Sequence, residues 1–266
     1  MKKQITLFAC LSIAFGMFAQ NENSNTESDT VEMITDRPDA TESPNAVPLK
    51  SVQIETGGLY VSNKDHGVKT ELFNYNNTLV RYGLFKNFEL RLAWAISDTK
   101  ESFDKQESIV VASGFSPLVL GAKVAIVEEK GLLPDIGLMI HMALPFLASE
   151  DYKPETTSVS FRFAFAHTLS EKSSISYNLG ARWGDDSPEA AYIYTLSYGY
   201  SITDKLGAYA ELYGNIPENS RSNHSWDAGL TYLIKHNLQL DATVGSGLSE
   251  NQDLLLSAGL SFRLPK

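Results

Sequence analysis

From about residue 50 to the C-terminus, the chain repeatedly alternates large apolar residues with small or polar ones. Residues 88–96 read FELRLAWAI and residues 159–166 read VSFRFAFA, and segments 175–183 and 238–245 follow the same pattern. Successive side chains of a β-strand point to opposite faces, so this alternation predicts strands with one apolar and one polar face. No run of 18 apolar residues occurs in this region, so a transmembrane helix is not predicted there.

Twelve such segments reach the length of about 9–11 residues that a tilted strand needs to cross a bilayer. The predicted strands are 51–62, 70–84, 88–98, 114–128, 134–146, 156–168, 174–184, 190–203, 205–215, 222–234, 237–247 and 253–263. Bacterial single-chain barrels have an even number of antiparallel strands. The predicted fold class is therefore all-β, an antiparallel up-and-down transmembrane β-barrel of about twelve strands that covers residues 50–266.

The predicted connections form two groups that alternate along the chain. One group is short and places a lysine beside a turn former, as in Lys86-Asn87 and Glu171-Lys172. The other group is longer and more polar: 62–69, 99–113, 148–155, 185–189, 217–223 and 249–252. Short periplasmic turns and longer outer loops are typical of outer-membrane barrels. The alternative is a soluble β-sandwich, in which a second sheet would cover the apolar rows. A sandwich has no physical reason to place its short turns at one end and its long loops at the other.

The two faces of the predicted strands differ in charge. Large apolar residues such as Leu90, Phe163 and Leu196 would contact lipid, because a charge there costs about 2–4 kcal/mol near the bilayer centre. The opposite face would line a polar lumen. Its candidate solute-contact residues are Glu55, Arg81, Glu89, Arg91, Lys123, His141, Arg162, Arg182, Glu211, Asp227 and Asp241. For each of them the alternative role is an ion pair that braces the wall. A lumen of this size is compatible with a narrow pore, a plugged lumen or a site for one small ligand.

The first 19 residues have the pattern of a secretory signal peptide. Lys2 and Lys3 precede a mostly apolar run from 5 to 18, and Ala19 is a small residue suited to the cleavage site. The alternative is an N-terminal membrane anchor, but the run is shorter than the roughly 20 residues that a span requires. The single cysteine, Cys10, lies in this segment, so neither a disulfide scaffold nor a cysteine-based zinc site is expected.

Residues 20–49 are predicted to be a flexible periplasmic leader. Residues 21–30 contain no apolar side chain and cannot bury any surface. The leader also contains the sequence TDRPD, in which Asp36, Arg37, Pro38 and Asp39 predict an irregular turn. Two interpretations of this motif stay open: a self-bonded turn that leads into the first strand, or a docking or plug element at the mouth of the barrel.

Charge and motif content argue against several other functions. The formal charge of −10 and the pI near 5.0 disfavour nucleic acid as a partner, because phosphate binding needs a basic surface. The five histidines form neither an HExxH motif nor a pair at metal-binding spacing, and no GxSxG motif occurs. His141 is expected to lie between Met139 and Ala143, a bland environment. We therefore predict a non-enzymatic protein without catalytic residues, metal or cofactor.

The residues at the start of the predicted barrel are similar to those of a known family. DRPD at 36–39, TESP at 41–44 and QIETG at 53–57 resemble the opening of the MetA-pathway of phenol degradation family. NFELR at 87–91 and SAGLSF at 257–262 add to a resemblance that covers about residues 34–264. The resemblance implies an outer-membrane barrel that passes small hydrophobic or aromatic molecules. The chain departs from the expected pattern at Lys50, where a small turn residue is expected, and in four residues beyond the terminal aromatic Phe262.

The leading functional hypothesis is a channel or transporter whose specificity depends on the outer loops and on pairs of Arg and Glu. The alternative is a structural or adhesive barrel without transport activity, whose acidic loops contact cations or lipopolysaccharide. The expected location is the outer membrane of a Gram-negative bacterium. The expected partners are membrane lipid, lipopolysaccharide, the barrel-assembly machinery and a small solute that the sequence does not identify.

Overall fold

A computed structural model of the protein describes residues 33–103, 107–184, 187–249 and 252–265. The predicted signal peptide and residues 20–32 of the predicted leader lie outside the described residues. The strands are β1 (Val52–Asp65), β2 (Val68–Phe85), β3 (Phe88–Phe103), β4 (Ile109–Phe115), β5 (Leu118–Val127), β6 (Asp135–Leu144), β7 (Ser158–Ser170), β8 (Ser173–Gly184), β9 (Ser187–Ser201), β10 (Leu206–Pro217), β11 (Asn223–Lys235), β12 (Leu238–Gly247) and β13 (Leu254–Leu264). Two short 3-10 helices, Pro145–Leu147 and Glu150–Tyr152, lie between β6 and β7. Neither of these helices has the length and hydropathy that a membrane-spanning helix needs.

The strands form one closed antiparallel barrel. The ring closes because β1 pairs with β2 on one side and with β13 on the other, where Val52 lies opposite Leu264. Strand β4 pairs with residues 96–101 of β3, and β5 pairs with residues 88–93 of the same strand. The two strands together therefore occupy one position in the wall. The break between them falls at 116–117, where Pro117 has no amide hydrogen to donate to the strand ladder. The wall therefore has twelve strand positions, which confirms the predicted fold class.

The strands extend further toward the outer end than the sequence pattern predicted. Strands β1 and β2 are joined by only His66 and Gly67, whose φ angles of 47° and 85° are typical of a tight hairpin turn. Strand β3 continues to Phe103 and β9 begins at Ser187, so the predictions of loops at 62–69, 99–113 and 185–189 are wrong over most of their lengths. Beyond the bilayer both faces of a hairpin contact water, so the contrast between apolar and polar positions that identifies a strand disappears.

The longest connection, 145–157, covers the outer part of the wall where β6 has ended. Ser149 donates its backbone N–H to the carbonyl oxygen of Phe115 at 3.0 Å, and its hydroxyl oxygen accepts the Phe115 N–H at 2.9 Å. Asp151 accepts the backbone N–H of Ser113 at 3.0 Å. These bonds supply β4 with partners on its open side, where an unpaired strand edge would otherwise be exposed.

The predicted assignment of the two faces agrees with the structure. Leu90, Leu196 and Leu240 expose 43–46% of their surface on the outer face, whereas Glu55 and Lys123 on the inner face expose 0%. The barrel is thus apolar outside and charged inside, the reverse of a soluble protein. This distribution matches a surrounding of hydrocarbon and a polar lumen.

Candidate functional site

Residues 33–49, here called the plug segment, enter the barrel, and all of them except Ile34 and Leu49 are buried or half-buried. Met33, Asp36, Thr41 and Val47 expose only 4–7% of their surface, and Pro44 is fully buried. The prediction of a flexible leader is therefore wrong for this part of it. The sequence suggested flexibility because it contains few apolar residues, but the lumen that receives it is itself polar. The contacts described below are those of a plug.

Arg37 lies in a slot between two wall glycines. A Cβ atom added to Gly57 would lie 2.6 Å from Arg37 Nη2, and one added to Gly259 would collide with the same guanidinium. The guanidinium donates to Asp241 through Nη2 at 2.9 Å and through Nε at 3.3 Å, and Nη2 also reaches the hydroxyl of Ser257 at 3.1 Å. Two nearly parallel bonds to one carboxylate fix the orientation of the arginine as well as its position.

Asp36 is bound by three cations of the wall. Its carboxylate lies 2.6 Å from Arg91 Nη1, 2.7 Å from Lys123 Nζ and 3.4 Å from Arg81 Nη1. Burial raises the pKa of the Asp36 carboxyl, but the charges of Arg81, Lys123 and Arg91 together lower it well below its ordinary value. Asp36 therefore stays ionised at neutral pH.

Two wall carboxylates complete this cluster, the Asp36 network. Arg81 donates to Glu89 through Nε at 2.9 Å and Nη2 at 3.0 Å, and to Glu55 through Nη1 at 2.9 Å. The network thus combines the three cations with three carboxylates, one of which comes from the plug segment. Without Asp36 the wall would keep three buried cations and two carboxylates. Because an uncompensated buried charge is costly, the charge of the plug segment completes that of the wall.

Wall side chains also bind the backbone of the plug segment. Glu211 accepts the N–H groups of Ala40 at 2.5 Å and Thr41 at 3.1 Å, and the Thr41 hydroxyl at 2.7 Å. Glu89 accepts the N–H of Val47 at 2.8 Å. A buried segment without regular structure cannot pair its own peptide groups, so the wall supplies the partners.

Glu42 extends the Asp36 network from Arg91 to one further cation, Arg162. Its carboxylate lies 2.5 Å from Arg91 Nη2 and 3.4 Å from Arg162 Nη1. Burial raises the pKa of Glu42, but the charges of Arg91 and Arg162 outweigh it and lower the pKa to about 2. The Asn178 side-chain amide pairs with the backbone N–H and carbonyl oxygen of Glu42, both at 2.8 Å.

The expectation of a bland environment for His141 is wrong. Its Nε2 accepts a hydrogen bond from Arg91 Nε at 3.0 Å. The two residues lie two wall positions apart, with Gly121 between them in register. Sequence spacing identifies neighbours along one strand only, and this partner belongs to another strand.

A third group of carboxyls lies beside Asp39. Glu211 and Asp227 face each other across the β10–β11 pair. Burial raises the pKa of the Asp39 carboxyl well above its ordinary value, and the charges of Glu211 and Asp227 raise it further. Among the described residues, no group of His, Asp and Glu has an arrangement that could hold a metal ion.

We expect the plug segment to dock less tightly as the pH rises. The pKa of Asp39 is raised in the docked state, so its favourable effect is complete at low pH and is lost as the pH rises through the docked pKa. Asp36 and Glu42 have lowered pKa values, so their effect is present above the ordinary carboxyl pKa and is lost only under strong acid. Asp39→Asn should therefore keep the amides of residues 33–49 protected in alkaline buffer, where the unchanged protein loses protection.

Hydrogen exchange read by mass spectrometry at matched intrinsic exchange times, from acidic to alkaline buffer, measures this difference. Asp65→Asn, in the exposed end of β1, is the matched control. The same pH dependence in Asp39→Asn and in the control would refute the role given to Asp39.

The sequence-selected candidates all face the interior, but they belong to different groups. Glu55, Arg81, Glu89, Arg91 and Lys123 form the Asp36 network, and Asp241 binds Arg37. His141, Arg162 and Arg182 border a cavity that Glu55 and Arg91 also line. Glu211 and Asp227 lie beside Asp39. Sequence reasoning missed Glu42, Thr41 and Asn178 as contact residues. Glu42 belongs to the TESP motif, which could have identified it as a contact residue, whereas no motif in the sequence marks Asn178.

Among the cavities that adjoin the plug segment, two have Arg162 in their linings. One, of about 460 Å³, is lined by residues of both the plug segment and the wall, including Asp36, Glu42 and His141. The second, here called the outer cavity, has about 370 Å³ and lies between the outer ends of β9, β10 and β11. Ala40, Arg162 and Arg182 border both cavities.

A closed β-barrel with an apolar outer face and a polar lumen defines the class of outer-membrane barrel proteins. A family model described as "Putative MetA-pathway of phenol degradation" matches residues 35–264, and the chain belongs to that family. This result confirms the resemblance inferred from the opening motif.

Solved structures with a similar fold include two outer-membrane proteins. The COG4313 outer membrane channel from Pseudomonas putida F1 is 15% identical, with a TM-score of 0.63 over 83% of this chain and 98% of that chain. The KdgM porin is 10% identical, with a TM-score of 0.51 over 79% of this chain and 98% of that chain. At these identities the similarity shows the fold alone. No curated protein sequence shows significant similarity to the chain.

Proposed function

We propose that the protein is an outer-membrane channel for small solutes, and that the plug segment closes it in this structure. The observation that carries the proposal is how the lumen is filled. A narrow barrel can be filled by side chains of its own wall, which cannot leave. Here a separate segment fills it and is held by hydrogen bonds and ion pairs, all of which water could replace. Such a segment can be displaced without unfolding the wall.

The proposal includes secretion by a cleaved signal peptide at 1–19, insertion by the barrel-assembly machinery, and contact with membrane lipid and lipopolysaccharide. The exposed aliphatic and aromatic outer face supports a membrane location. The name of the Pseudomonas putida protein, an outer membrane channel, supports transport. The family description supports a small aromatic solute. Transport through the lumen needs no chemical step, so the proposed function is not enzymatic.

A reversible covalent lock on the plug segment tests the proposal. The hydroxyl oxygens of Thr41 in the plug segment and Thr195 in β9 are 2.8 Å apart, close enough for cysteines at both positions to form a disulfide. We expect the oxidised Thr41→Cys/Thr195→Cys protein to be silent in planar bilayers, and a reducing agent to restore openings. The predicted mature chain contains no cysteine that could interfere.

Each single cysteine variant is the control, and its conductance should not respond to the redox state. If the oxidised and reduced forms conduct equally, the plug segment is not the gate. If none of the proteins conducts under any condition, the structural or adhesive barrel is the better description.

A further inference from the structure

The lining of the outer cavity has two arginines and no acidic side chain, although the chain as a whole is strongly acidic. Its charged lining residues are Arg162 and Arg182, and its other lining residues are neutral. The chain as a whole has a formal charge of −10. Glu42, the carboxylate that meets Arg162, lines the neighbouring cavity and not this one. A cavity with low-dielectric walls concentrates the potential of such charges, so it favours an anion over a neutral or cationic solute.

Two polar atoms at this cavity are buried without a hydrogen-bond partner among the described residues. They are Arg162 Nε and Asn215 Oδ1, and both residues line the outer cavity. A buried polar group without a partner is costly, and two at one place indicate a polar ligand. One atom is a donor and the other is an acceptor, so the pair matches a solute with an anionic group and a hydroxyl.

Arg162 has the capacity to bind a carboxylate. A guanidinium has five N–H donors, and Arg162 contacts Glu42 through one of them, Nη1, at 3.4 Å. Glu42 has a closer partner in Arg91, at 2.5 Å. A solute carboxylate can therefore bind Arg162 in the two-bond arrangement that arginine favours, while Glu42 keeps its bond to Arg91.

The remaining lining sets the size of the solute. Tyr213 and Ile193 give the cavity an apolar side, and Ala40 of the plug segment contributes a small surface. The volume of about 370 Å³ lies near the lower end of the range of ligand cavities, roughly 300–1,000 Å³. One ring with two substituents fits this volume.

We propose that the outer cavity is a binding site for a small ring-bearing carboxylate, held by Arg162, with its second polar group at Asn215. The site lies between the outer ends of strands, and by the general orientation of such barrels this end faces the exterior. The solute would therefore meet this site before it meets the plug segment. Binding at Arg162 also competes with Glu42, which loosens one contact of the plug segment. The inference names the solute class of the proposed channel and so rests on the proposed function.

Binding of 4-hydroxybenzoate to the purified mature protein in detergent, measured by titration calorimetry, tests the site. The neutral 4-hydroxybenzamide is the matched ligand. We expect the carboxylate to bind at least about tenfold more tightly, as a charge-assisted contact requires. Arg162→Met should remove this preference, and Arg162→Lys should restore part of it. Arg221→Met, at an exposed arginine in the 218–222 connection at the same end, should keep it.

The same titration in the oxidised Thr41→Cys/Thr195→Cys protein separates binding from gating. The disulfide holds the plug segment in place in that protein. If the further substitution Arg162→Met lowers the affinity there, the loss comes from the cavity and not from movement of the plug segment. Binding that persists where no conductance is found would overturn the channel and keep the site. Equal affinities for the acid and the amide, or no binding of the acid at millimolar concentration, would overturn the site. If Arg221→Met loses as much affinity as Arg162→Met, the preference comes from the general positive charge at this end of the barrel, and the site is also overturned.

Discussion

Asp36→Asn is expected to open the channel more than any other single substitution in the plug segment. The change keeps the size of the side chain but takes from Lys123 its carboxylate partner at 2.7 Å. Arg81 keeps Glu55 and Glu89, and Arg91 keeps Glu89 and Glu42. An unpaired buried charge costs about 3–5 kcal/mol. Departure of the plug segment relieves this cost, because water then enters the lumen and hydrates the cations. Single-channel recordings should show a large rise in open probability.

Asp39→Asn is the matched control for this experiment. It removes a carboxylate three residues further along the same segment, but from a place where burial and the neighbouring carboxylates raise the pKa of Asp39. It should leave the channel closed, or close it more firmly. If both variants open the channel equally, loss of any plug carboxylate is sufficient, and the specific charge balance of the Asp36 network is not the cause. A silent Asp36→Asn protein would contradict the charge argument directly.

Arg81→Met is expected to cause the largest loss of stability. The Arg81 side chain exposes 1% of its surface and donates to Glu55, to Glu89 and to the carbonyl oxygens of Ile34 and Asn45. Its removal takes partners from two buried carboxylates and from the plug backbone at once. The expected cost is about 3–5 kcal/mol, and the midpoint of urea unfolding of the folded barrel should fall accordingly.

A second substitution separates charge from packing. Removal of both members of a buried pair is often nearly neutral, so Arg81→Met/Glu89→Leu should recover part of the lost stability. Arg81→Lys should be intermediate, since a lysine keeps the charge but cannot form the two bonds to Glu89. If the double variant is no more stable than Arg81→Met, a Glu89 carboxylate left without Arg81 is not the source of the lost stability.

The part of the fold inside the bilayer was predictable because the membrane acts on every strand residue in the same way. At residues 88–96 the alternation identified both the strand and its inward side chains, Glu89 and Arg91. The same reasoning failed at 62–69 and 99–103, where strands continue into water. It also failed at 116–117, where one predicted strand is interrupted and β4 precedes the break.

The sequence alone determined that the chain forms a twelve-position barrel, which of its faces is apolar, and the family to which it belongs. These properties depend on local periodicity and on short motifs, which are complete within a few neighbouring residues. Only the tertiary structure decided that residues 33–49 fill the lumen and that Asp36 meets Lys123, 87 positions further along the chain. The partner of a buried charge depends on barrel closure and strand register, which relate residues distant in sequence. No pattern along a single strand contains that information.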